Sequence, residues 1–430
     1  MLRNRIGPLI LMACLIPGMV FGQAATNSPY SRFGLGNQER GSFTRNNAMG
    51  GISFGMRNPG YIDFQNPASL SARDSLSFIF DFGMTGQQFQ LSTRNSTSTS
   101  KDINFKHMAI AFPITKWLGA GAGIVPFSSI SYDIAKEVRE GDPDYIPEIG
   151  GIDYLYRGTG GVHRFFLGAG VDIYKGVSVG VGLSYLFGTM EKARSITFIE
   201  EETSFNTKIS EKSIVGDLYL DAGIQYTLLF SEDYSITLGA VYNHERNIKA
   251  EYESYTENLL FIPEGGHYAD TVEFISGVTG KIILPRNVGI GFTFNKGDKL
   301  VIGADYYRQD WSDARFFGES DSLVNSNFIH AGLEFTPDRF AIRNYLNRMS
   351  YRIGGHYGNT YLQLQNEQLK DFGISFGLGF PLNRTRSAIN LSFELGKRGG
   401  TGQNLIEEKY GIITFSLTLY DIWFMKRKFD

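Results

Sequence analysis

The chain has 430 residues, a formal net charge of -3 and one cysteine, Cys14. The near-neutral balance lacks the basic face that a nucleic-acid partner needs, and a single thiol excludes both a disulfide framework and a thiolate metal site. Aromatic residues at 14%, with 34 Phe, 23 Tyr and 51 Gly, suit the strands and interfacial girdles of a membrane barrel rather than a helical bundle.

The only continuous apolar run comes first. Arg3 and Arg5 precede Ile6 to Val20, and Val20-Phe21-Gly22 stands before Gln23. A charged start, an apolar stretch and a small residue at its end make residues 1–22 an expected signal peptide for export. Cys14 lies inside that segment, which leaves the mature chain without a thiol. Leu11-Met12-Ala13-Cys14 has the form of a lipoprotein cleavage box, but the apolar run continues past Cys14 where a polar residue would be expected.

Residues 23–74 do not alternate and are rich in Gly, Asn and Arg. Such a stretch before a barrel is either a periplasmic leader or an N-terminal luminal plug. A plug needs small residues to fold tightly and polar ones to meet a wet lumen, and Gly50-Gly51, Gly55, Asn58-Pro59-Gly60 and Asn66-Pro67-Ala68 supply both. Tyr30, Phe33, Leu35, Phe43, Met49, Ile52, Phe54 and Met56 are its apolar side chains. Phe33, Met49, Phe54 and Met56 are the candidate ligand contacts among them.

From residue 75 to 430 apolar residues alternate with small or polar ones. The first strand presents Leu76, Phe78, Phe80, Phe82 and Met84; later ones present Val177/Val179/Val181/Leu183, Val288/Ile290/Phe292/Phe294, Leu300/Ile302/Ala304/Tyr306, Phe372/Ile374/Phe376/Leu378/Phe380, Ile389/Leu391/Phe393/Leu395 and Ile413/Phe415/Leu417/Leu419. Period-2 alternation puts every apolar side chain on one face of a strand. A soluble sandwich alternates too, but a dozen or so strands of about ten residues match an all-β transmembrane antiparallel barrel.

Connections set the strand number. Short ones are expected near 115–116, 174–176, 231–233, 296–298, 336–348 and 382–384, and polar ones near 92–100, 134–160, 190–212, 251–271, 312–325, 364–368 and 398–409. Six inner turns and seven outer loops join about fourteen strands with both termini periplasmic, an even number as in bacterial barrels. The number holds only if 272–296 is one strand running through Pro285, and Val272, Phe274, Val278, Ile282, Leu284, Val288 and Ile290 do keep one phase across it.

Two places break the pattern. In the third strand, Gly119, Gly121 and Gly123 are followed by Ile124-Val125-Pro126-Phe127, where alternation lapses. Proline donates no ladder hydrogen bond, so a bulge or gap is expected there. Gly123, Val125, Pro126 and Phe127 are candidates for a lateral gap, with a rim bulge as the alternative. In the outer connection near 251–271, Leu259-Leu260-Phe261-Ile262 is an apolar run; Leu259, Leu260 and Phe261 would meet a ligand or pack on the 134–160 loop through Tyr145 and Ile146.

The inward face carries Asp217, Asp221, Asp305, Gln309, His330, Glu334, Arg352, His356 and Glu394. Buried charges need partners, so Asp217, Asp221, Asp305, Gln309, Arg352 and Glu394 are read as a luminal polar network that pairs internally and with Arg32, Arg40, Arg45 and Arg57. A catalytic reading lacks support. None of the six histidines forms a His-Glu-x-x-His pair, Gly119-Ala-Gly121-Ala-Gly123 lacks the helix of a phosphate loop, and no nucleophile, base and acid stand at a telling spacing. Neither metal nor cofactor is expected.

Three motifs in register resemble the FadL-type long-chain fatty acid and hydrophobic-compound transport family of the outer membrane: Asn66-Pro67-Ala68 before the first strand; Leu284-Pro285 followed by Val288-Gly289-Ile290-Gly291; and Asp305-Tyr306-Tyr307-Arg308-Gln309-Asp310-Trp311-Ser312. Order and spacing match from about residue 30 onward. The end departs, since Lys426-Arg427-Lys428 forms a basic tail in place of a terminal aromatic, which marks a divergent branch. The resemblance implies fourteen strands, an N-terminal plug, and a hydrophobic ligand that passes from the outer loops to a pocket beside the plug and leaves sideways through a kink in the third strand.

Two functions follow from this reading. One is passive transport of a fatty-acid-like hydrophobic small molecule, with outer-membrane lipids as surroundings. The other is an interaction barrel serving a protein-export or surface-assembly machine, with protein partners on the long loops and the basic tail. A Gram-negative outer membrane is the expected location for both.

Overall fold

The computed structural model describes residues 28–423 apart from 95, 200–205, 263–265, 319, 383–385 and 401–404, and apart from the side chains of 259–269. The expected signal peptide and the basic tail lie outside these residues.

Fourteen antiparallel strands form a closed wall. In chain order they are β1 (Ser77–Ser92), β2 (Thr97–Pro113), β3 (Leu118–Val138), β4 (Ile152–Tyr174), β5 (Val177–Phe198), β6 (Asn206–Leu229), β7 (Tyr234–Asn243 continued by Arg246–Ile262), β8 (Gly266–Leu284 continued by Asn287–Lys296), β9 (Leu300–Gln309), β10 (Ser326–Phe335), β11 (Ser350–Leu364), β12 (Glu367–Pro381), β13 (Ala388–Arg398) and β14 (Glu407–Ile422). Each pairs with the next, and β14 returns to β1 from Glu407 opposite Ser92 to Ile422 opposite Ser77.

The wall follows the alternation. On β5, Val181, Leu183 and Tyr185 are exposed while Ser178 and Ser184 are buried, and on β12 Phe372, Ile374 and Phe376 are exposed while Ser375 is buried. Apolar side chains therefore face outward as a band and small or polar ones face inward, the arrangement a bilayer demands.

Pro285 interrupts β8 without splitting it. Leu284 pairs with Arg246 and Asn287 with Asn243, so Pro285–Arg286 on β8 stands opposite His244–Glu245 on β7. Both strands break at one level and resume, which leaves the strand number even.

The outer connections are shorter than expected. The segment read as a loop over 251–271 is mostly strand: β7 runs to Ile262 and β8 starts at Gly266. Leu259, Leu260 and Phe261 thus belong to a paired strand, with Leu259 opposite both Ala269 and Asn206; their side chains lie outside the described residues. Likewise β3 and β4 narrow the 134–160 loop to 139–151. These strands carry polar residues on both faces because they rise past the apolar band, where neither face is in lipid and alternation has no physical cause.

Residues 28–74 lie against the inner faces of the wall. A Cβ on Gly180 of β5 would overlap Ala68 and Pro67, one on Gly239 of β7 would overlap Phe54, and one on Gly354 of β11 would overlap Met49 and Gly50. Backbone approaches this close require glycine. Phe43, Ile62, Phe64 and Leu70 of this segment pack with Ile79, Ala109, Ala111, Val125 and Phe166 of the wall. Farther up, Leu35 joins inward Ile130, Val162, Leu186, Val215, Ile248 and Ile282.

Candidate functional site

The wall parts between β2 and β3. Their pairing runs from Pro113 opposite Gly119 to Met108 opposite Ile124 and stops there, although β2 continues on β1 to Thr97 and β3 continues on β4 to Val138. Just beyond the last pair each strand has a bulge, β2 at Lys106 and β3 at Phe127. Pro126, which has no N–H, lies between the last pair and the second bulge. A strand that cannot donate and then bulges turns away from its neighbour.

The N-terminal segment occupies the exposed edge. Asn37 and Gln38 pair with Ser129 and Ser128 of β3, and Glu39 N donates to Phe127 O at 3.0 Å. From the other side Lys106 Nζ of β2 donates to Glu39 Oε2 at 3.3 Å. Residues 37–39 thus bridge the parting, Asn37–Gln38 as a short strand on β3 and Glu39 through its contact with Lys106.

Behind this bridge is a cavity of about 200 Å³. Val125, Pro126 and Phe127 form part of its wall, with Phe54 and Phe64 from the N-terminal segment and Tyr219, Val241, Leu284, Tyr307, Trp311, Phe328 and Tyr361 from elsewhere; Arg164, Asp221, Asn287, Asp305, Gln309 and His330 add polar surface. Its lining is mixed, apolar side chains with a few fixed polar groups.

The candidate residues divide accordingly. Phe54 lines the cavity, but Met49, Met56 and Phe33 do not. Met49 and Met56 are buried with Ile52 and Val301, and Phe33 packs against the cluster of Trp311 and Tyr361; each fills a core contact instead of a ligand surface. Gly123 is closely packed between Ala109 and Phe166. Asn66 caps the 3-10 turn Pro67–Ser71: its side chain accepts from Ala68 N at 3.1 Å and donates to Phe54 O at 2.8 Å.

The polar residues tie the segment to the wall. Arg45 donates to Glu334 at 2.8 and 2.9 Å, and Arg352 donates to the same carboxylate at 2.6 Å and to Asn390 at 2.9 Å. Arg40 meets Glu394 at 2.6 Å, and Arg57 meets Asp172 at 2.7 Å. Asp305 accepts from Ser53 N at 2.6 Å and Phe54 N at 2.9 Å. Asp221 is held by Arg164 and Ser184, and Gln309 accepts from Ser326 Oγ at 3.1 Å. Asp217 stands apart, accepting from Lys249 N at 3.0 Å. Arg32 stacks over Phe33 and Tyr156. Arg164 and Asn287, both on the cavity, escaped the sequence reading: an arginine and an amide at strand positions carry no motif that distinguishes a lining residue from a packing one, while Trp311 was read only as part of a family motif and not as a lining residue.

Asp63 of the segment titrates within the working range. It accepts from Asn46 Nδ2 at 3.0 Å and Gln65 N at 3.1 Å. Burial, with the nearby Asp305 charge adding to it, pushes its carboxyl up to about 8. The folded chain then keeps a proton that the unfolded chain releases near pH ~4. Stability from this group is full below that pH and is lost as pH rises through about 8. Urea unfolding in detergent from pH 5 to 8 should show the wild type losing stability faster than Asp63→Asn, by at most ~1.4 kcal/mol per pH unit; parallel curves would refute this.

A family model described as BamG matches residues 1–430. No curated protein matches the sequence. Solved barrels match in shape: the Pseudomonas putida toluene transporter TodX, 14% identical, with 90% of this chain and 99% of that one covered and a TM-score of 0.56; the Ralstonia pickettii toluene transporter TbuX, 14% identical, with 88% and 98% covered and a TM-score of 0.55; and a Pseudomonas aeruginosa FadL homologue, 11% identical, with 94% and 100% covered and a TM-score of 0.57. At such identities the likeness is one of fold. The motifs that resemble the FadL-type transporters therefore mark a shared barrel fold, while the match that spans the whole sequence lies elsewhere: the chain belongs to the BamG family.

Proposed function

We propose that this protein is an outer-membrane barrel in which residues 23–74 act as a plug and the cavity receives a small hydrophobic molecule that leaves sideways between β2 and β3. The observation that carries the reading is that Val125, Pro126 and Phe127 belong both to the cavity wall and to the strand edge that β2 abandons. A plugged lumen gives an apolar solute no straight aqueous path, whereas a parting of the wall leads to lipid. Movement down a gradient requires no cofactor. The short-turn side, where β14 ends at Ile422 opposite Ser77, is the periplasmic side on this reading. The toluene transporters of like fold support a hydrophobic cargo in general terms.

The bridge at residues 37–39 makes the test direct. Gln38 and Ser128 are register partners, and neighbouring antiparallel strands come close enough for a disulfide. In Gln38→Cys/Ser128→Cys the oxidised barrel should stop proteoliposome uptake of labelled toluene or decanoate, and reductant should restore it. Uptake that ignores the crosslink would rule out exit through this parting.

The whole-chain match to BamG, a family distinct from the hydrocarbon channels, favours a second reading: an interaction barrel serving a surface-assembly machine. Its segment of ion-paired arginines would then be a fixed brace. Purification in mild detergent separates the two, since a stoichiometric protein partner with an empty lumen supports assembly and an enriched apolar molecule supports transport.

A further inference from the structure

Residues 336–349, which join β10 to β11, form the longest connection on the short-turn side, more than twice the length of any other there. Its backbone is held in place. Asp338 N donates to Asn347 O at 2.8 Å, the Asp338 carboxylate accepts from Phe340 N at 2.9 Å, and Asn344 caps the helical turn Tyr345–Arg348 by accepting from Leu346 N at 3.0 Å. Yet Phe340 is 80% and Ile342 90% exposed, and Leu346 is exposed as well. A structured connection here presents large apolar side chains to the outside.

Its place on the wall says what meets them. Tyr351 stands on the lipid-facing side of β11 with the exposed Ile353 and Tyr357, and its hydroxyl donates to Leu346 O at 3.1 Å. Tyr345 donates to Pro381 O, at the end of β12, at 3.2 Å. The helical turn therefore lies along the rim where the apolar band ends. Exposed Trp117, Tyr174, Tyr234 and Trp423 mark the same rim at the short-turn ends of β3, β4, β7 and β14, the level of the aromatic belt at a bilayer surface.

The charges around these side chains are mostly positive. Arg339, Arg343 and Arg348 belong to the connection, and Lys296 and Lys299 to the neighbouring turn, which is joined to it from Thr336 N to Lys299 O at 2.9 Å. The acids are fewer: Asp298 takes Arg339 at 3.4 Å, and Asp338 is engaged on Phe340 N. Arg343 is exposed beside Ile342. Apolar side chains flanked by arginines at the edge of a bilayer combine shallow insertion with attraction to anionic headgroups. A rim position and surplus positive charge fit a phospholipid leaflet better than the aqueous surface of a protein.

We infer that residues 336–348 are an interfacial anchor that inserts Phe340 and Ile342 into the adjoining leaflet and selects glycerophospholipids with an anionic headgroup through Arg339 and Arg343. The inference rests on the barrel and not on its cargo; with the short turns periplasmic, as proposed above, that leaflet is the inner one.

The only cysteine of the sequence, Cys14, lies in the expected signal peptide, so Ile342→Cys gives the processed barrel a single thiol for a polarity-sensitive NBD label. The labelled barrel is placed in phosphatidylcholine vesicles that carry a minor fraction of spin-labelled phosphatidylglycerol or of spin-labelled phosphatidylcholine. Both leaflets then have one composition, and the orientation of the barrel does not matter. We expect blue-shifted emission in either vesicle, and quenching that reports an enrichment of phosphatidylglycerol of at least ~5-fold, the effect of about one basic residue near an anionic surface. Arg339→Gln with Arg343→Gln should abolish the preference and leave the blue shift, whereas Phe340→Ser should move the emission toward that of the label in water. Thermal unfolding reports the folding of each variant, and if the double variant fails to fold, a reduced preference in Arg343→Gln decides. Emission of a water-exposed label in the parent barrel would overturn the inference and point to a protein partner on this turn instead. Equal quenching by the two lipids, or a preference that survives loss of the arginines, would overturn the headgroup assignment.

Discussion

Glu334→Ala should destabilise the protein by about 3–5 kcal/mol, the usual cost of stripping a buried ion pair of one partner. Glu334 is the hub on which the N-terminal segment and the wall meet: Arg45 binds both of its oxygens from the segment, and Arg352 binds one from β11. The side chains of Arg45 and Arg352 are 4% and 0% exposed, so removal of the carboxylate strands two guanidinium groups with little water to take over. The pair need not be net stabilising against an apolar replacement, and the test uses that. Glu334→Met with Arg45→Met removes the attraction together with one of the stranded charges and should recover part of the loss. Urea unfolding in detergent gives the energies, and limited proteolysis reports release of residues 28–74. A Glu334→Ala protein of wild-type stability would mean that the segment is held by packing alone.

The same geometry bears on how the proposed lateral route would operate. Residues 37–39 close the parting of β2 and β3, and they are continuous with Arg40, which is tied to Glu394 across the lumen. Freeing the bridge therefore means either peeling three residues from β3 or moving a segment anchored by several ion pairs. The first costs a few exchangeable hydrogen bonds, each worth about 1 kcal/mol net; the second costs several buried pairs. A local hinge of residues 37–39 is the cheaper motion, which is why the crosslink at Gln38 and Ser128 targets it.

Much of this architecture can be read from the residues because a bilayer enforces it. Wherever a strand crosses lipid, as with Val181, Leu183 and Tyr185, one face must be apolar, and alternation records the fact. The register across Pro285 is legible for the same reason. Beyond the lipid band the constraint ends: β7 and β8 remain paired, as at Asn258 opposite Asp270, yet their outward residues no longer need to be apolar, so 251–271 reads as a loop. The cavity is harder still. Phe54 lines it and Met56 does not, though both are apolar residues of one short segment, because the difference arises from how 28–74 folds on itself.

Inward glycines belong to the small or polar face of the alternation, and the structure gives them a sharper meaning that carries a prediction. Gly180 of β5 faces the turn at Asn66-Pro67-Ala68, where an added Cβ would overlap Ala68 N and Pro67 C; Gly354 of β11 faces Met49 and Gly50 in the same way. In both cases the obstacle is backbone, which has no rotamer to change, so the segment itself must move. Overpacking of this kind costs about 1–3 kcal/mol or more. Gly180→Ala and Gly354→Ala should therefore lift the segment from the wall, lowering the unfolding temperature and opening residues 28–74 to protease, while β5 and β11 still pair with their neighbours and the barrel still assembles. Gly411 of β14 is the control, because a Cβ there meets only Leu395 Cδ2 at 3.5 Å, an ordinary contact. Loss of protease resistance in Gly180→Ala and Gly354→Ala but not in Gly411→Ala is the expected result. Equal resistance in all three would mean that the segment does not rest on the glycine floor. With the segment displaced, residues 37–39 lose their support on β3, so the same two variants should also speed uptake if the bridge is what closes the lateral route.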